Sequence, residues 1–155
     1  MNFKLYIVQA KKYISFTLRL FLGLLFVISG ISKILDINYT RLSIENFNII
    51  PISWIPFFSY ILLSVEILLG LMLIFGIDIK ISSLSIITLL SIFSIAVFIN
   101  LIRGESFDCG CFQLLFKDKI GVTTILRNFL LSMLALFIVY EKKHIWTAFK
   151  VRNRI

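Results

Sequence analysis

The chain is poor in the residues that most enzymes use for covalent chemistry. Among its 155 residues there are two cysteines, one histidine and two prolines. Two cysteines and one distant histidine, His144, fall short of the four ligands that zinc asks for, so no metal site is expected. Charge is also scarce: 15% of the residues are charged and 59% hydrophobic, with a mean hydropathy of +1.00. That apolar share exceeds a soluble domain's, and the apolar residues come in long runs, which together indicate an integral membrane protein. Acidic residues are the scarcer sign, 8 against 16 basic ones, for a net charge of +8. The basic surplus lies at the two termini rather than along one folded face. This pattern argues against nucleic acid as a partner and for a lipid bilayer.

The length is that of a single domain. Four apolar runs are long enough to cross a bilayer at 1.5 Å per residue: about 13–34, 57–77, 81–102 and 122–140. The expected fold is therefore all-α, an integral membrane four-helix bundle. The basic start before the first run could mark a signal peptide. That run is long enough to span, however, and ends in Ser29-Gly30-Ile31-Ser32-Lys33 without an A-x-A-like cleavage site, so it reads as a retained helix. The segment Asp36 to Pro56 is more polar. Its spaced apolar residues, Tyr39 and Trp54 suggest a short interfacial piece, broken at Pro51 and Pro56. Four spans put both termini on one side, and Lys4, Lys11, Lys12, Lys142, Lys143, Lys150, Arg152 and Arg154 make that side the cytoplasm. The connection 103–121 then faces outward, into the periplasm of a bacterial inner (cytoplasmic) membrane.

That connection carries Phe107-Asp108-Cys109-Gly110-Cys111-Phe112. Fully extended, the two cysteine Cα atoms would stand about 7 Å apart, so the backbone must fold to reach the ~5.5–6 Å of a disulfide. Gly110 permits that fold. A ring of about three residues removes little unfolded-chain entropy, roughly 1.6 kcal/mol against ~3 for a fifteen-residue loop. Such a bridge is a poor staple, whereas strained and exposed bridges are the exchange-competent ones. Cys109 and Cys111 are thus candidate redox residues; the alternatives are a strained structural bridge or idle thiols. Arg103 and Asp108 would tune them in opposite directions, since a cation favours a thiolate and a carboxylate disfavours one.

Charges inside spans cost at least ~2.5–3.5 kcal/mol on insertion scales, so each needs a reason. Glu66 lies mid-span, on one helical face with Ser59 and Gly70. Arg19, Gly23, Phe26, Gly30 and Lys33 follow a 4-3-4-3 spacing that also makes one face, and Asn128, Ser132 and Ala135 make a third beside Arg127. These faces are expected to meet, with Glu66 ion-paired to Arg19 or Arg127. The pair would fix helix packing, or serve as a proton path or a polar anchor for a quinone.

The ordered set Arg19…Gly23…Ser29-Gly30…Lys33, Glu66…Gly70, Arg103-Gly104…Asp108-Cys109-Gly110-Cys111-Phe112 and Arg127-Asn128 resembles the DoxX-like superfamily of four-helix membrane proteins. Within it, the set resembles the MauE-type branch named for methylamine utilisation. The resemblance covers most of the chain, departing at Gln113, where that family usually carries glycine. It implies a redox-associated membrane protein acting on a periplasmic client beside a thioredoxin-like partner, with quinone as the candidate cofactor. The competing expectation is a non-enzymatic scaffold or assembly subunit with a structural cysteine pair.

Overall fold

A computed structural model describes the backbone of residues 3–104 and 121–140, with side chains described from Tyr13 onward. The described residues are helical throughout apart from short turns: α1 (Phe3–Leu35), α2 (Ile37–Asn46), α3 (Ile55–Phe75), α4 (Ile79–Ile102) and α5 (Val122–Tyr140). Stretches within α1, α4 and α5, and Ile52–Phe75 around α3, are each long and apolar enough to cross a membrane. The protein is an all-α membrane bundle, as its composition requires.

Local chemistry sets where the helices stop. Asp36 caps α2, its carboxylate accepting from the Tyr39 amide at 3.1 Å, which satisfies one of the amides that a helix start leaves unpaired. Pro56 falls in the first turn of α3, where its missing N–H costs nothing. Gly76 closes α3 in the left-handed region at φ 73°, while the Ile77 amide reaches back to the Met72 carbonyl at 2.9 Å. Asp78, also at positive φ (40°), completes the turn into α4.

The long helices run alternately up and down. Each packs on two neighbours in the ring α1–α3–α4–α5, and α2 lies against α3 at the end where α1 stops. Contacts are most extensive between α1 and α3 and between α4 and α5, and sparser along the α3–α4 and α1–α5 seams. α4 therefore ends, and α5 begins, at the same end of the bundle as α2.

Apolar side chains cover the outside of the bundle, and its interior mixes apolar residues with small and polar ones. Phe21, Leu68, Ile92, Phe98 and Phe129 are exposed on the outside, while Ser29, Glu66, Ser82, Asn100 and Asn128 are buried within. An apolar outside suits lipid, and small and polar residues between the helices allow close approach. The hydroxyls of Thr88, Ser91 and Ser94 donate to carbonyls of their own helix four residues back, at 2.8–3.0 Å, so their donors are satisfied within α4.

Candidate functional site

The site begins with glycine. Gly23 on α1 faces Gly70 on α3 so closely that a Cβ on Gly70 would stand 2.8 Å from the Gly23 carbonyl oxygen. The two backbones touch, and this contact sets the antiparallel register of α1 on α3. In that register Glu66, one turn before Gly70, lies opposite Ser29 and Lys33 in the last turns of α1. Lys33 forms an ion pair with Glu66. Ser29 Oγ accepts from Lys33 Nζ at 3.3 Å and donates to Glu66 Oε2 at 3.4 Å. All three side chains are buried, at 4%, 7% and 3% exposure for Lys33, Glu66 and Ser29. Joined in this way the two charges compensate each other where no water would, and the hydroxyl takes up part of the remaining hydrogen-bonding capacity.

The expected partner of Glu66 was Arg19 or Arg127; the structure gives it Lys33 instead. Arg19 lies ten residues before Ser29 on the same helix, about 15 Å along the axis, too far to reach. It is buried, with its guanidinium 5.3 Å from the centre of the Phe16 ring. Arg127 is half-buried on α5. Lys33 stands on the predicted α1 face, and all five members of that face are buried.

Two cavities flank the pair. A small one of about 30 Å³ is lined by Ser29, Lys33, Glu66 and Asn128 among apolar neighbours, with room for a water molecule and polar groups to hold it. Asn128 donates across to Ser94 Oγ on α4 at 3.3 Å, tying α5 into the same polar set. The larger cavity, about 360 Å³, lies between α2, α3 and α4 and has almost wholly apolar walls. Lys33 is the one charged residue in its lining, beside the hydroxyl residues Thr40 and Ser43. Lys33, Leu62, Leu89 and Phe93 line both cavities and so form the partition between them.

One side of the larger cavity is α2, and α2 is pinned. Asn100, 1% exposed, donates through Nδ2 to the Phe47 carbonyl at 3.3 Å. The Phe47 ring meets Phe93 edge to face at 5.5 Å. At the other contact Arg41 donates to the Tyr60 hydroxyl at 3.1 Å, its guanidinium close to that ring. Asn100 sits in the last turn of α4. Its bond to Phe47 shows that it holds α2 against α4. Arg103 follows α4 as its exposed C-cap. Asp108, Cys109, Gly110 and Cys111 lie outside the described residues.

A bundle of apolar helices closed around a buried lysine–glutamate pair, with an apolar cavity beside it, defines a small polytopic membrane protein with an internal polar site. The chain belongs to the family described as methylamine utilisation protein MauE, whose profile matches residues 11–141. It is 32% identical over 122 residues to the methylamine utilization protein MauE of Paracoccus denitrificans, covering 78% of this chain and 66% of that one. It is 28% identical over 124 residues to the protein of the same name from Paracoccus versutus, covering 79% and 67%. The chain thus spans about two thirds of the length of these curated relatives. No solved structure matches it.

Proposed function

We propose that this chain is an accessory membrane protein of methylamine utilisation that exchanges thiols and disulfides with a periplasmic client or thioredoxin-like partner. The observation that carries the reading is the position of the C-x-C pair on the single connection from α4 to α5. Both anchor points of that connection lie at the α2 end of the bundle, next to the internal site. Exchange would run through a mixed disulfide: a partner thiolate attacks the Cys109–Cys111 disulfide, that S–S bond breaks, and the partner's second thiol displaces the adduct, leaving the partner oxidised and Cys109 and Cys111 as a dithiol. The electron pair gathered by Cys109 and Cys111 would pass to a membrane quinone.

A chain with one cysteine left can attack the disulfide of the oxidised partner but has no second thiol to release the mixed disulfide, so the partner stays bound. One of Cys109→Ser and Cys111→Ser is expected to yield a DTT-sensitive adduct in cells. The double variant should yield none while inserting normally. If neither single variant traps a protein and both support full function, the exchange reading fails. The alternative, a non-enzymatic assembly subunit, would then stand. It draws support from the Lys33–Glu66 pair, which joins α1 to α3.

A further inference from the structure

We propose that the cavity between α2, α3 and α4 seats the ring of a lipid-soluble quinone, one carbonyl of which accepts a hydrogen bond from Lys33. This deepens the exchange reading above, and only its electron-transfer consequence rests on that reading. Four observations lead to it.

The first is access. Phe58, Ile61 and Ile92 line the cavity and are also exposed on the apolar outer surface of the bundle, at 41%, 42% and 62%. The opening therefore lies among lipid-facing residues, and an occupant arrives from the bilayer. The second is size: about 360 Å³ falls within the range of small-molecule sites and suits a ring with the start of its tail. The third is charge. Lys33 is already neutralised by Glu66, so an anionic or cationic head would add an unbalanced charge in a medium that penalises it. A neutral head that accepts hydrogen bonds adds none. Of the three N–H groups on Lys33 Nζ, the described residues use two, through Ser29 and Glu66, which leaves one for a carbonyl. The fourth is the aromatic pair Phe47–Phe93 in the lining, which offers ring edges and faces to a planar guest. A bare hydrocarbon tail would use neither the donor nor the aromatic pair.

The reaction served balances as follows. Two thiols lose two protons and two electrons and form one S–S bond, and the quinone takes up both electrons and both protons to become a quinol. The electrons would come from the Cys109–Cys111 dithiol of the connection between α4 and α5.

The test uses the full chain, purified free of quinone and placed in lipid nanodiscs, with a photoreactive benzoquinone on a short isoprenoid tail. Saturable labelling is expected within 40–50, 58–65 or 89–96. It should be competed by the unmodified quinone but not by the same tail without its ring. Lys33→Met combined with Glu66→Leu removes both charges together and should weaken binding about tenfold or more. Ala96→Phe should fill the cavity and abolish labelling; should that variant not fold, the labelling map of the unaltered chain decides. Labelling elsewhere, equal competition by the ringless tail, or unchanged affinity in the charge-free variant overturns the proposal. The single variants Cys109→Ser and Cys111→Ser separate the two readings. Quinone binding kept while neither single variant traps a partner sinks exchange alone, whereas trapped partners without labelling sink the cavity assignment alone.

Discussion

Glu66 concentrates the energetic risk of this fold in one carboxylate. Buried at 7% exposure and held by Lys33 and Ser29, it becomes an unpaired charge in hydrocarbon once Lys33 is removed. Lys33→Met should therefore lower stability by about 3–5 kcal/mol. Glu66→Ala should do the same by stranding the ammonium. The double replacement Lys33→Met/Glu66→Leu should cost far less than the sum, a coupling readable from thermal unfolding of the four species in detergent. Additive losses would mean that the pair contributes nothing as a pair. The sequence marked Glu66 because an acid in mid-span needs a reason, and it put Lys33 on the buried α1 face. It did not join them, because residue spacing fixes which face a side chain occupies but not how far one helix slides along another. That offset is set by backbone contact at Gly23 and Gly70, which is a tertiary fact.

At the scale of elements, two devices position the site. The α1–α3 contact depends on glycine: a Cβ on Gly70 would meet the Gly23 carbonyl at 2.8 Å and Val27 Cγ2 at the same distance. Gly70→Leu should force the helices apart and lower stability by about 1–3 kcal/mol or more, seen as a reduced folded fraction on size-exclusion chromatography. A folded fraction equal to that of the parent would show that the close approach is dispensable. The second device is Asn100, whose amide holds the end of α2. Asn100→Leu should leave the four long helices assembled while releasing 47–50, so limited proteolysis should cut there sooner than in the parent chain; unchanged cleavage would mean that the Phe47–Phe93 contact suffices alone. The long helices were legible in the chain because runs of apolar residues need no partner to declare themselves. The docking of α2 was not, since it rests on one buried amide meeting a carbonyl fifty-three residues away in sequence.

For the whole molecule, charge bias predicts orientation. Reporter fusions at Lys143 and near Lys117 should report opposite sides, with the 103–121 connection outside and both termini in the cytoplasm. A cytoplasmic signal from that connection would remove the periplasmic exchange scheme at its base. The fold class followed from composition because only a lipid environment accepts so many exposed apolar side chains. The exchange proposed for Cys109 and Cys111 rests on their C-x-C spacing in the sequence. The looser seam between α3 and α4 has a consequence of its own. A guest entering there is drawn from a two-dimensional reservoir, so occupancy follows its mole fraction in the lipid rather than its molarity in the buffer. Diluting proteoliposomes with buffer should leave a lipid-confined guest in place, while fusing them with guest-free vesicles should empty the cavity.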